Sequence, residues 1–507
     1  MKADSGVGKT DEMTYSMTEL KSQLENIVGP GRVREDPETL QPYARDQSFV
    51  RRCMPDAVVF VETVEQIQEV VRLANRARIP LVPYSSGKNL HGAAVPDQGG
   101  LIVDMSRMSR ILTVDDENWL AVIEPGVTYA QLQAALNAKG FRLMVPFGIP
   151  PDRSVLTSYL ERDVALTAPS FENGNALMLD TEMVLPDGEL FRTGNWSSGG
   201  SPGSPNGPAR TMLYRLWTGA QGTLGIVTKM AVAIDRIPRN RKIWFLPFQD
   251  LPPAVEAMAR IQRREIGMEC LLLNRFNGAA LFCEEWQVPR DFPAVPVPAE
   301  TFNALRRNLP PWLLTICLNG LPYYPEEKIT YEAEALHEVC DLLNLERLTA
   351  VPGICDAAGR MQMEMLCPWG ILKKFNYQGE VHDLTFKAPL DAVPGLVAAL
   401  SEIAGTCGYP AADIGGYVLP LERGRGAHCE MDLHVCPDNT SAREHIKDLW
   451  LKASMELMNR GAYFDRPYGA WADMVYNRAT HYTLKLREIK AELDPNNIMN
   501  PGKLCFT

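Results

Sequence analysis

With 507 residues, 46% of them apolar and 22% charged, the chain can bury a large core and fill roughly two to four domains. A net charge of −11 argues against nucleic acid or an anionic membrane as the main partner. No run of about 18 apolar residues offers a membrane span.

The N-terminal stretch "MKADSGVGKTDEMTYSMTEL" is polar and lacks the apolar region of a signal peptide. Its "ADSGVGKT" (3–10) comes close to a phosphate-binding P-loop, but Ala3 replaces the first glycine and no strand can precede it. A frayed terminus is expected there. The eleven cysteines are scattered without a CxxC pair, which excludes zinc ribbons and thioredoxin motifs. Together with the missing secretion signal they predict reduced thiols in a cytoplasmic protein.

Residues 55–82 read as strand, helix, strand. "DAVVFV" is β-rich, and "TVEQIQEVVRLANRARI" opens on a threonine cap and keeps apolar residues at helical spacing. "PLVPYS" is the second strand and breaks into the Gly-rich loop "SGKNLHGAAVPDQGG" (86–100). "LIVDM" resumes as strand, and "WLAVIEPGVTYAQLQAALNAKG" gives strand, turn and helix, with Gly140 as its stop. The block 155–195 is expected to alternate strands with turns and to end in a hairpin at Asp187-Gly188. A Gly/Ser/Pro loop follows at 195–210, expected to be mobile. "LWTGAQGTLGIVTKMAVAI" then makes a Gly-rich turn and a strand.

Beyond about residue 240 longer helices ("PPAVEAMARIQRREIG", "YEAEALHEVCDLLN", "VPGLVAALSEIAGTCG") alternate with strands ("FLPF", "LTICLNG", "DLTFKAP", "GGYVLPL"). The last strand, "AHCEMDLHV" (427–435), puts His428, Glu430, Asp432 and His434 on one face and apolar residues on the other. Such a face is a solvated sheet surface, a set of structural histidines, or a site. The tail "LREIKAELDPNNIMNPGKLCF" reads as a helix with a Pro/Asn stop. The fold class is α+β.

The segments "PYSSGKNLHGAAVP", "VDMSRMSRI", "IEPGVTY", "GAQGTLGIVTKM" and "DPNNIMNPGKL" occur in an order that resembles the vanillyl-alcohol oxidase / p-cresol methylhydroxylase flavoproteins. The resemblance runs from about residue 40 to the end. It implies a discontinuous, two-subdomain FAD-binding domain in 1–240 (core about 50–238), a cap domain with an antiparallel sheet in 241–455, and a segment 456–507 that returns to the FAD domain. It assigns FAD to Pro83, Tyr84, Ser85, Ser86, Gly87, Lys88, Asn89, Leu90, His91, Pro125, Gly126, Gly222, Gly225, Ile226, Val227, Asn500 and Lys503. Glycine loops suit that task because bare backbone N–H groups can approach a diphosphate closely. No G-x-G-x-x-G follows a strand, so a Rossmann site is not expected.

The family's catalytic set is only partly matched. In "GAYFDRPYG" Arg466 fits the family's arginine, but Asp465 stands where the oxidases carry tyrosine; Tyr463 and Tyr468 lie nearby. Phe147 replaces the aspartate of the oxidases' "VPD" turn. The covalent flavin attachment position falls on Leu384, so FAD is expected to be non-covalent, with His382 or His91 as the candidates for a covalent link. The expected catalytic residues are Arg466, Asp465, His428, Glu430, His434 and Tyr468.

The expected reaction is hydride removal from a small aromatic or phenolic alcohol or alkyl side chain. Flavin is then reoxidised by oxygen or an electron-transfer protein, and a homo-oligomer is a candidate state. One alternative is a metal-assisted D-2-hydroxyacid dehydrogenase with His428, Glu430, Asp432 and His434 as ligands. The other is a non-redox flavoprotein lyase or transferase.

Overall fold

The computed structural model describes residues 16–166, 177–208 and 211–506. The near P-loop at 3–10 lies outside them. The helix expected after the first strand runs Val64–Ala77, where Thr63 and Gln66 close a reciprocal capping box and Ile67, Val70, Val71, Leu73 and Ala74 are buried. It packs over a four-stranded sheet in which Ala57–Phe60, Leu101–Asp104 and Leu81–Tyr84 run parallel and the short Val33–Arg34 adds antiparallel. The sheet delivers Tyr84 to the start of the Gly-rich loop. Chain from the far end closes on it: Leu81 N–H donates to the Ile498 carbonyl, and Asn500 N–H to the Leu81 carbonyl.

A second, five-stranded antiparallel sheet has the order Ile111–Asp115, Leu120–Ile123, Ile226–Ala233, Met178–Val184, Leu190–Arg192. The hairpin at Asp187-Gly188 is present, with Gly188 at φ +82°. The block before it differs from the sequence reading. Residues Val155–Leu160 form a helix, because the Ser154 hydroxyl accepts from Thr157 N–H at its start and Val155, Leu156 and Tyr159 bury one face. Apolar β-branched runs this short do not distinguish strand from helix.

The third sheet has six antiparallel strands in the order Arg241–Phe248, Trp312–Asn319, Glu269–Asn274, Gly415–Leu421, Gly426–Val435, Glu380–Pro389. One face carries the helices Leu251–Arg263, Pro325–Leu342, Val393–Thr406 and Thr440–Asn459. Leu384, Phe386, Cys429 and Met431 point into that layer. The opposite side of the same strands presents Asp383 opposite Asp432, Thr385 opposite Glu430 and Lys387 opposite His428. Both faces are therefore covered, and the ionisable face of 427–435 is no solvated surface.

The six-stranded sheet is tied to the N-terminal half by a buried ion pair. Arg142, next to Phe141 in a two-residue strand, places Nη1 2.7 Å from Glu269 Oε1, with the two residues 1% and 0% exposed. Asn319 Nδ2 donates to the second Glu269 oxygen at 2.5 Å. All eleven cysteines are free thiols, and no helix among the described residues is long and apolar enough to cross a membrane. Removing one partner of a buried pair leaves an uncompensated charge, so Glu269→Ala should cost about 3–5 kcal/mol, read as a lowered midpoint in urea denaturation.

Candidate active site

Two joined cavities follow the Gly-rich loop. The first, about 850 Å³, lies between that loop, Pro125, the helix Val155–Leu160 and the turn at 217–227. Of the residues expected at the cofactor, Pro83 to Asn89, Pro125, Gly222, Gly225, Ile226 and Val227 line it. Its walls fit a dinucleotide diphosphate on three counts. The N–H groups of Ser86, Gly87, Lys88, Asn89 and Leu90 find no acceptor among the described residues, which gives a row of donors for anionic oxygens. Gly87 lies at φ +64°, and a Cβ there would drive into the Tyr84 hydroxyl. The loop is also braced from behind, since Ser154 N–H donates to Ser86 Oγ at 3.0 Å and Arg153 Nη1 to the Lys88 carbonyl at 2.8 Å.

The remaining expected cofactor contacts sit elsewhere. Gly126 packs its Cα under the Ser106 carbonyl and lines no cavity wall. Asn500 Nδ2 donates to the Ala93 and Gln221 carbonyls and so ties two rim loops together. Lys503 pairs with Asp97 at 3.0 Å and faces a different cavity. Leu90 and His91 line the walls beyond Asn89.

The second cavity, about 680 Å³, shares Lys88, Asn89 and Arg153 with the first and is closed above by the six-stranded sheet. It brings together His428, Glu430 and Arg466 from the expected set with Lys374, Tyr417, Asp383 and Phe147. Lys374 is its centre of charge. Its Nζ lies 2.6 Å from Glu430 Oε1 and 2.7 Å from Asp432 Oδ1, with the side chain 4% exposed. Burial works against its charge, but Asp432 and Glu430 outweigh burial and raise its pKa. Asn277 Nδ2 satisfies the other Asp432 oxygen at 2.9 Å. Glu430 also accepts from the Tyr417 hydroxyl at 2.8 Å. Burial pushes Glu430 up to about 7, against the pull of Lys374.

Arg466 donates through Nη1 to Asp163, which also forms an ion pair with Arg153, its Oδ2 2.8 Å from Nη2. Burial would raise Asp163, but Arg153 and Arg466 hold it below the ordinary aspartate value. The Nε and Nη2 groups of Arg466 make no hydrogen bond among the described residues. His428 is neutral: burial, then the nearby Arg466 charge, push it down to about 3. His91 lies in the opposite wall. Its Nδ1 donates to the Asn89 carbonyl at 2.6 Å and its Nε2 lies 3.0 Å from Asp383. Asp383 overcomes the burial penalty and raises His91 above the ordinary histidine value.

Three expected catalytic residues stand outside this cavity's walls. His434 is buried against Phe276 with ring centroids 4.4 Å apart, and neither ring nitrogen has a hydrogen-bond partner among the described residues. It is a core residue, because the strand passes beyond the cavity at that position. Asp465 is paired with Lys387 at 2.8 Å, behind His428. Tyr468 donates its hydroxyl to Glu161, a carboxyl that burial pushes up to about 7.

The four-ligand metal alternative fails on the same geometry. His434 faces away, and the Lys374 ammonium holds the space between Glu430 and Asp432. Among the described residues no group of three His, Cys, Asp or Glu is arranged to hold an ion. Lys374, Arg153, Asp163 and Glu161 were missed from the sequence. Their signal was charge inside apolar runs, "RSVLTSYLERDVAL" and "WGILKKFNYQG".

Residues 55–194 match the FAD binding domain model, and 476–504 match the FAD linked oxidases, C-terminal domain. The chain is 23% identical to glycolate oxidase subunit GlcD of Bacillus subtilis over 96% of both chains. It is 30% identical to the 4-cresol dehydrogenase flavoprotein subunit of Pseudomonas putida over 45% of each. Its fold is similar to that of substrate-bound p-cresol methylhydroxylase, with TM-score 0.80, 20% identity and coverage of 97% of this chain and 98% of that one. The protein is thus an FAD-dependent oxidoreductase with a PCMH-type FAD-binding fold and a sheet-bearing cap. Its FAD-binding segments match FAD-linked oxidase domains, its fold is similar to that of p-cresol methylhydroxylase, and its cofactor is FAD.

Because the Lys374 charge pulls Glu430 downward, Lys374→Met should move the Glu430 titration to a pH above about 7. The carboxyl band in infrared difference spectra reads this directly; a downward move would contradict the assigned coupling.

Proposed function

We propose that the protein oxidises a small aromatic alcohol or alkylphenol, with Glu430 as the base and Arg466 as the anion partner. The observation that carries this reading is the second cavity's pairing of an aromatic wall with a carboxyl poised near neutrality. Phe147 stands edge-on to Tyr417 with centroids 4.9 Å apart, and Leu372 and Phe375 extend the apolar wall. A flat ring buries its faces there, and edge-to-face packing favours aromatic over aliphatic guests.

Glu430 with a pKa of about 7 is half ionised at neutral pH and suited to take a hydroxyl proton. His428, pushed down to about 3, is the weaker base of the two. The unengaged Nε and Nη2 of Arg466 suit a phenolate oxygen. The walls carry five basic groups (Lys88, His91, Arg153, Lys374, Arg466) against three carboxyls (Asp163, Asp383, Glu430), a balance that favours an anionic guest. Bound FAD supplies the two-electron acceptor for hydride leaving the substrate carbon.

The same cation surplus supports a second reading, a 2-hydroxyacid whose carboxylate pairs with Arg466. The full-length likeness to the glycolate oxidase subunit favours it. Anaerobic bleaching of the flavin separates the two. Under the first reading 4-alkylphenols or benzylic alcohols bleach it and D-2-hydroxyacids do not; the reverse pattern selects the second, and no bleaching by either sinks both. Glu430→Gln should slow bleaching by about 10²–10⁴-fold and remove the rise in rate with pH that loss of its proton produces.

We also place the FAD domain in 1–240 with the returning segment 456–507, the cap in 241–455, and the protein in the cytoplasm. FAD is held non-covalently in this proposal. Leu384 lies in the helix layer, His382 stacks on Phe49 at 4.0 Å, and both His91 nitrogens are engaged. Acid precipitation should therefore release the flavin into the supernatant; yellow protein in the pellet would contradict this.

A further inference from the structure

A third cavity, about 1300 Å³, lies on the far side of the His91–Asp383 pair from the reaction cavity. The two share Leu90, His91, Val381 and Asp383 as a common wall. A molecule in the third cavity does not line up with His428, Glu430 or Arg466, none of which reaches it. It is out of reach of the groups proposed for the substrate chemistry.

The walls are unusual in a second respect. Three parallel ring pairs line it: Phe49 on His382 at 4.0 Å, Trp450 on Trp471 at 4.6 Å, and His91 with Tyr468 at 5.1 Å. Layered aromatic faces select a flat, conjugated guest. The His91 ring, held as a hydrogen-bonded pair with Asp383, sets a proton donor in the wall that faces the reaction cavity. The mouth is open at Ala470, which is exposed at the first turn of the helix Ala470–Tyr476.

We propose that this cavity binds the enzyme's electron acceptor, a neutral planar quinone, one ring-wall away from the substrate. The balance is complete. Oxidation removes two electrons and two protons from the substrate, and the quinone takes up two electrons and two protons, its two carbonyls becoming the hydroxyls of a hydroquinone. The site goes beyond the substrate reading and holds whether that substrate is a phenol or a hydroxyacid.

The test uses the FAD-loaded protein and menadione as the probe. Titration should quench tryptophan fluorescence saturably, because Trp450 and Trp471 line the site. Ala470→Trp, which fills the mouth, and Phe49→Ala, which removes one stacked pair, should each weaken binding about tenfold or more. Neither should change the rate at which substrate bleaches the flavin anaerobically. The proposal is overturned if quenching is absent or if both variants bind menadione as tightly as the parent. It is also overturned if menadione binds only after FAD has been stripped, since the cavity would then belong to the cofactor. Each outcome is read from binding, so failure of the substrate assignment does not mimic failure of the acceptor site.

Discussion

Lys374 between Glu430 and Asp432 is the contact on which the reaction cavity depends. Two carboxylates on neighbouring same-face positions of one buried strand repel each other and lose hydration, and neither stays ionised there without a cation. The ammonium pairs with both carboxyls, and Glu430 titrates near 7 against its pull. Lys374 sits in the turn Gly370–Asn376, which is held by Glu364 accepting the Gly370 and Ile371 N–H groups at 3.0 and 3.3 Å. The electrostatics of the site thus rest on the placement of one short turn against one strand.

A similar sharing operates at the other wall. Asp163 takes both Arg153, which supports the diphosphate loop, and Arg466, which faces the reaction cavity. Moving either arginine would change the partner count of the same carboxylate. The Gly-rich loop's bracing arginine and the arginine of the second cavity therefore share one carboxylate. Asp465, where the sequence resemblance leads one to expect a tyrosine, pairs with Lys387, while Nε and Nη2 of the neighbouring Arg466 make no hydrogen bond among the described residues.

Much of this was readable in the chain. The helix Val64–Ala77, the hairpin at Asp187-Gly188 and the strands of the third sheet followed from periodicity and turn chemistry, because each lies where local and tertiary preferences agree. The Gly-rich loop after Tyr84 was legible as a turn because glycine at positive φ has a local signature. The helix Val155–Leu160 was not, since six residues are too few to carry a distinctive period. The alternation of 427–435 marked the face that meets the second cavity but not where that face ends. His428 and Glu430 enter the cavity, while His434, six residues on, is already under Phe276. Lys374 and Asp163 act through partners distant in sequence, and no local pattern announces such contacts.

The Arg142–Glu269 pair carries one more implication. It joins the two halves of the molecule at full burial, next to the strand that ends in the cap sheet's core. Prising the cap from the cofactor half would strand both charges in a low-dielectric interface, so wholesale opening is a poor route for traffic. Small molecules then come and go through the existing cavity mouths, by side-chain motion at their rims.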